Sequence, residues 1–193
     1  MRRLTINVLS FNISHAQGTD GVLDLERIAR VIRGSGADVI GLQEVDRHFD
    51  ERSDWADQAT ELAESLGCHL AYGVNIDLDP SAPGGRRAQY GTALLSRHPI
   101  VRWDNNHLFR SPGEEQRGLL HAEIDVRGIR LHVFVVHLEL FSDYDRLRQA
   151  AEVVALAGDS EPTVLVGDFN AAPETAEVTE IRARFTDSWD LLG

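Results

Sequence analysis

Thr163-Val164-Leu165-Val166-Gly167-Asp168-Phe169-Asn170 is an apolar run that stops in a carboxylate and a carboxamide two residues apart. A buried strand has little reason to end this way, because buried charge costs several kcal/mol unless a partner or a metal compensates it. The pattern recurs. Leu4 to Phe11 ends at Asn12, Asp38 to Leu42 ends at Gln43-Glu44, and Leu131 to Val136 ends at His137. Four strand-like runs therefore deliver polar groups at their carboxyl ends, where open α/β sheets place a ligand crevice.

Helices are interleaved with these runs, which indicates an α/β class. Leu25, Ile28, Ala29 and Ile32 follow the helical i, i+3, i+4, i+7 template, with Asp24 as N-cap. Trp55, Ala59, Leu62, Ala63 and Leu66 form a second stripe, opened by Ser53 or Asp54 and closed by Gly67. Leu147, Ala150, Ala151, Val154 and Ala157 form a third between Ser142 or Asp143 and Gly158. Pro173 and Glu174 open a further helix. Strands are predicted at 4–11, 38–43, 69–75, 91–96, 100–108, 119–126, 129–137 and 163–167. Val133-Phe134-Val135-Val136 is apolar on both sides, so it belongs inside a layered structure. Val126-Arg127-Gly128-Ile129 reads as a tight hairpin. Hairpins mixed with helices imply a mixed sheet, or two sheets packed face to face with helices outside. Ile76 to Gln89 is the longest irregular stretch, and it carries Arg86-Arg87.

A chain of 193 residues supports one domain with a substantial core. No apolar run is long enough to cross a bilayer, so stable membrane insertion is not expected. Met1-Arg2-Arg3 passes straight into a strand-like segment with no visible secretory signal. Cys68 is alone, which precludes an internal disulfide and fits a reducing compartment. Cytoplasmic localisation is the resulting expectation, although a form with its signal removed has the same sequence features. Net charge is −12, from 19 basic and 31 acidic side chains. That balance disfavours broad contact with a polyphosphate backbone. It leaves a nuclease open, because bound divalent cations reverse the local field.

The polar strand ends supply what a hard cation requires. Asn12 offers a carbonyl oxygen and Glu44 a carboxylate, both suited to Mg²⁺ or Mn²⁺. Asp168 and Asn170 share the rim, and His137 adds a group able to hydrogen-bond a phosphoryl oxygen. Taken singly, each has a structural explanation. Asn12 suits a turn, Glu44 suits an ion pair with Arg47, His137 suits a backbone bond, and Gly-Asp-x-Asn suits a helix-leading turn. Their joint placement at equivalent strand ends favours a site.

Five stretches resemble the endonuclease/exonuclease/phosphatase superfamily of metal-dependent phosphoesterases, the group that includes pancreatic deoxyribonuclease. They are Val8-Leu9-Ser10-Phe11-Asn12-Ile13, Asp38-Val39-Ile40-Gly41-Leu42-Gln43-Glu44-Val45, Tyr90-Gly91-Thr92-Ala93-Leu94-Leu95-Ser96-Arg97, Val135-Val136-His137-Leu138 and Gly167-Asp168-Phe169-Asn170. They occur in family order. The resemblance implies a four-layer α/β sandwich, two mixed β-sheets packed face to face with helices outside. It implies that Asn12 and Glu44 bind metal, His137 contacts the scissile phosphate, Asp168 handles the attacking water, and Asn170 steadies the transition state. Arg117 resembles an arginine ahead of the central hairpin and is a candidate substrate contact, with a structural ion pair as the equal alternative. His15 lies within reach of the site and is a second candidate substrate contact. Thr92 stands where Asn is frequent.

The resemblance also implies two further C-terminal motifs, an aspartate in a strand and an Asp-His ending. The chain runs through Asp187-Ser188-Trp189-Asp190 to Gly193 before either. The expectation is a single domain over 1–193 whose last strands are missing. A truncated gene is favoured over completion by another chain or a non-catalytic remnant that binds phosphate or metal. The expected activity is phosphoester hydrolysis dependent on Mg²⁺ or Mn²⁺. A small or lipid-like phosphoester is favoured over duplex DNA, with a DNA endonuclease or exonuclease as the alternative.

Overall fold

The computed structural model describes residues 4–80, 83–158 and 160–192. Strands β1 (Val8–Asn12) and β2 (Val39–Arg47) lie parallel, so the chain must cross over between them, and α1 (Leu25–Ser35) makes that crossing. The same logic operates near the other end. Strands β7 (Ile129–His137) and β8 (Thr163–Asp168) are parallel, joined through α3 (Asp143–Ala157). Between these two units lie α2 (Gln58–Leu66), β3 (His69–Leu78), β4 (Ala88–Ser96), β5 (Ile100–His107) and β6 (Gly118–Val126), with α4 (Ala176–Arg182) and α5 (Ser188–Leu192) last.

Two four-stranded sheets result, in the orders β1-β2-β4-β3 and β5-β6-β7-β8. Each holds one parallel pair and two antiparallel pairs, so both are mixed. Three apolar clusters fill the three gaps of a helix–sheet–sheet–helix stack. Ile28, Ala29, Ile32, Ile40, Leu42 and Leu62 seal α1 and α2 onto the first sheet. Val39, Leu94, Leu120, Ile124, Val133 and Val135 interdigitate between the sheets. Phe134, Val136, Ala150, Val153 and Ile181 join the second sheet to α3 and α4. This is the expected four-layer α/β sandwich. Gly41 allows the sheets to close, since a Cβ there would lie 2.7 Å from Val166 Cγ2.

Most elements fall where the sequence places them, with edges moved. Asp24 caps α1 by accepting from Arg27 N at 2.8 Å, worth about 1 kcal/mol. Strand β1 begins at Val8 rather than Leu4, while β2, β3 and β4 are longer than predicted. The irregular stretch expected over 76–89 is confined to 79–87, of which Ser81 and Ala82 lie outside the described residues. Helix α2 starts later than expected. Residues Glu51–Ser53 form a short 3-10 turn, Asp57 rather than Ser53 or Asp54 is the N-cap, and Trp55 is exposed. In α3 the buried face carries Arg146, Gln149, Ala150, Val153 and Ala157, not Leu147, Ala151 and Val154. Arg146 is drawn inward by the Glu177 carboxylate at 2.7 Å, which rotates the face that apolar spacing alone suggests. Helix α4 starts at Ala176, beyond Pro173 and Glu174, with Thr175 as N-cap. No described helix is long and apolar enough to cross a membrane.

Candidate functional site

The carboxyl ends of β1, β2, β7 and β8 meet on one side of the sandwich. Parallel pairing sets Asn12 beside Gln43, and His137 beside Asp168. β1 and β8 are edge strands of opposite sheets, so their ends can approach across the gap. Glu44 reaches the same place through a bulge. Pairing of β2 with β4 shifts between Leu42 and Val45, and Glu44 adopts φ 58°. A non-glycine residue in that conformation costs on the order of 1 kcal/mol, a strain found often at functional sites.

Asn12 ties these segments together. Its Nδ2 donates to Glu44 Oε1 at 2.8 Å and to Asp168 Oδ2 at 3.2 Å, joining positions 156 residues apart. Its Oδ1 accepts from Ser14 N at 3.0 Å, which holds the amide in place. Asp168 Oδ1 accepts from Asn170 N at 3.0 Å, and Asn170 Nδ2 donates to Leu138 O at 2.9 Å. His15 sits with Nδ1 3.9 Å from Glu44 Oε2. All of the strand-end residues singled out in the sequence therefore come together, and His15 joins them. Glu44 does not pair with Arg47, whose guanidinium meets Asp57 at 3.2 Å.

His137 is buried and held by Arg117, whose Nη1 lies 3.3 Å from His137 Nδ1. A guanidinium only donates, so Nδ1 accepts and the ring proton resides on Nε2. Burial pushes the imidazole below its ordinary value, and the Arg117 charge adds to this, against Asp168, Glu44 and Glu139. The ring is accordingly neutral near pH 7 and carries one N–H able to donate. Arg117 is itself anchored by Glu139 at 3.4 Å and Glu115 at 2.7 Å. Its side chain is nearly buried and its contacts go to His137, Glu139 and Glu115, so its geometry is that of a positioning residue for His137.

Glu139 and Gln149 escaped the sequence analysis. Glu139 lies two residues past His137, is almost fully buried, and its backbone N–H bonds Gln149 Oε1 at 2.8 Å. A carboxylate continuing the alternation of β7 was the available signal. Gln43, also unassigned, is buried with Nε2 lacking a hydrogen-bond partner, and it lines the cleft.

That cleft holds about 350 Å³ between Ser10, Asn12, Gln43, Gly167, Asp168 and Asn170. A larger cavity, about 930 Å³, lies among His48, Phe49, Trp55, Leu78 and Arg86 and contains neither site carboxylate. The smaller one is lined by Asn12, Asp168 and Asn170, while Glu44 and His137 border it without lining it. The Arg86-Arg87 pair is committed elsewhere, with Arg87 bound to Asp77 and Asp79 and Arg86 bonded to His48.

The profile of the Endonuclease/Exonuclease/phosphatase family matches residues 4–190. The chain belongs to this family. It is 33% identical over 156 residues to the Escherichia coli (strain K12) protein YbhP, covering 76% of this chain and 58% of that one. A crystal structure of an endonuclease/exonuclease/phosphatase from Beutenbergia cavernae superposes with a TM-score of 0.75 at 29% identity, over 87% of this chain and 48% of that chain. A mannosyl-6-phosphatase of Bacteroides thetaiotaomicron gives 0.71 at 18% identity, over 93% and 70%, a likeness of fold alone. The chain therefore spans less than two thirds of the length of the curated relative YbhP. Members of the endonuclease/exonuclease/phosphatase family are generally hydrolases of phosphoester bonds and typically depend on a divalent metal.

The residues present fit such an ion. Glu44 and Asp168 accept from neutral donors, Asn12 Nδ2 and the Asn170 N–H, and among the described residues no Arg or Lys pairs with either, so two negative charges stand uncompensated among oxygen ligands. Carboxylates and amide oxygens are the ligands of hard cations, and no described cysteine stands nearby to favour a soft one.

Proposed function

We propose that this protein is a divalent-metal-dependent phosphoester hydrolase whose active centre is the Asn12, Glu44, His137, Asp168 and Asn170 constellation. The observation that carries it is the Asn12 amide linking Glu44 and Asp168 across the two sheets, beside a neutral, oriented His137. Mg²⁺ or Mn²⁺ held by Glu44 and by Asn12, whose amide would turn its Oδ1 from Ser14 N towards Glu44, would neutralise charge developing on the phosphoryl oxygens and polarise a water.

The chain's own groups do the rest. His137 Nε2–H donates to a phosphoryl oxygen. Asp168, with Oδ1 pinned by Asn170 N, accepts the proton of the attacking water. The water oxygen bonds to phosphorus as the ester P–O bond breaks, and solvent protonates the leaving oxygen. Asn170 spends one amide hydrogen on Leu138 O and keeps the other for the phosphoryl group. Preorganised donors of this kind supply much of the barrier lowering in phosphoryl transfer.

A small or lipid-like phosphoester suits the net charge of −12 better than duplex DNA does. The test is hydrolysis of a chromogenic phosphodiester and monoester with Mg²⁺, with and without EDTA. Turnover that EDTA removes and Asp168→Ala abolishes is expected. A wild-type rate in Asp168→Ala would overturn the assignment, and nicking of supercoiled plasmid in preference to small esters would favour the nuclease alternative.

A further inference from the structure

The outer face of the second sheet carries a separate group of ligand-type side chains. His121 and Glu123 alternate along β6, so both project to the same face. His132 on β7 is the register partner of Glu123, which sets it on that face too. One ligand atom from each of the three lies within 4.8 Å of the others. His121 Nε2 and His132 Nδ1 are 3.0 Å apart, and His132 Nδ1 is 3.9 Å from Glu123 Oε1. Two metal–nitrogen bonds of roughly 2.0–2.1 Å at a tetrahedral angle separate their nitrogens by about 3.4 Å. The imidazoles therefore need to part by only a few tenths of an ångström.

Two neighbours favour ligation over a surface hydrogen bond alone. Asp104 Oδ1 lies 3.2 Å from His121 Nδ1. A carboxylate accepts, so His121 carries its proton on Nδ1 and its bare Nε2 accepts from His132 Nδ1–H, a proton that ligation would shift to His132 Nε2. This is the carboxylate–imidazole support that ligating histidines use. The His121 ring also lies flat on Phe134, centroids 4.4 Å apart and planes within 10°, which limits its rotation. The competing cation is Arg102, whose Nε sits 2.7 Å from Glu123 Oε1. Its side chain is 71% exposed, so a dication can displace it into solvent at little cost.

We infer that His121, Glu123 and His132 form a binding site for a borderline transition metal of the Zn²⁺ class, with water as fourth ligand. Two imidazoles and one carboxylate suit Zn²⁺, whereas the all-oxygen cleft suits Mg²⁺, so the two sites sort different ions. A bound ion would cross-link β6 and β7 away from the cleft.

The experiment uses tag-free, EDTA-stripped protein in excess Mg²⁺, titrated with Co²⁺ and read by the visible bands of tetrahedral cobalt. One equivalent is expected, displaced by Zn²⁺. His132→Ala and the isosteric Glu123→Gln should each abolish the bands, while Asp104→Asn weakens Co²⁺ binding about 10–100-fold. Glu44→Gln should leave the bands unchanged. Circular dichroism of Glu123→Gln confirms that the fold is retained. Absence of tetrahedral bands in the wild type, their persistence in both His132→Ala and Glu123→Gln, or their loss in Glu44→Gln would overturn the inference.

Discussion

Replacing Glu44 by glutamine separates what the site does for metal from what it does for the fold. Glu44 Oε1 and Asp168 Oδ2 both accept from Asn12 Nδ2, at 2.8 and 3.2 Å, so they lie no more than the sum of those bonds, 6.0 Å, apart. Two like charges at that distance repel by about 3 kcal/mol at an effective dielectric near 20. The Glu44 side chain is 26% exposed, so water and salt reduce this to on the order of 1 kcal/mol. Glutamine removes the repulsion yet keeps the bonding. Its oxygen still accepts from Asn12, and its Nε2 faces His15 Nδ1, a buried atom with no partner in the native chain. In EDTA, Glu44→Gln should therefore unfold about 2–4 °C above wild type. Saturating Mg²⁺ reverses the ranking. An ion at 100 times its Kd stabilises the wild type by about 2.7 kcal/mol, and the variant gains almost none of it. Thermal unfolding followed by circular dichroism, with EDTA and then with Mg²⁺, measures both effects. A variant less stable than wild type by more than about 1 kcal/mol in EDTA, or one that keeps the Mg²⁺ shift, would refute the charge-based account of the cleft.

Three further outcomes follow from the same contacts. His137 has a depressed folded pKa, so the unfolded chain takes up the proton first; its contribution to stability is present above about 6.5 and is lost as pH falls through the lower folded value. Wild type should lose stability across that window faster than His137→Gln, and parallel curves of melting temperature against pH would falsify the assignment. Arg146→Met leaves the buried Glu177 carboxylate unpaired and should cost about 3–5 kcal/mol, roughly 10 °C, with Arg146→Met/Glu177→Leu recovering at least half in urea titrations. Gly41→Ala places a methyl 2.7 Å from Val166 Cγ2 and 3.1 Å from Val135 Cγ2, so it should lower stability by about 1–3 kcal/mol; Gly41→Ala combined with Val166→Ala should restore most of this, measured by the same titration.

The order of strands and helices, and the polar ends of β1, β7 and β8, are legible in the chain alone. Those signals are local, since a strand records its burial every second residue and a helix every 3.6. The caps at Asp24 and Ser142, and the turn at Arg127-Gly128, are local for the same reason. What was misjudged depends on partners far along the chain. The start of α2 was ambiguous because Ser53, Asp54 and Asp57 are all cap-forming residues, and only packing selects Asp57. The buried face of α3 was misplaced because Arg146 belongs inside only once Glu177, 31 positions later, stands opposite.

The candidate site divides in the same way. Residue types at strand ends named Asn12, Glu44, His137, Asp168 and Asn170. Only the tertiary structure decides that β1 and β8 are the edges that abut, that a bulge turns Glu44 towards Asn12, and that Arg117 faces His137 rather than solvent. Composition and periodicity report how each segment meets water. They carry no information on which two polar groups, many residues apart, will share one hydrogen bond, because that choice is made by the sheets closing on each other.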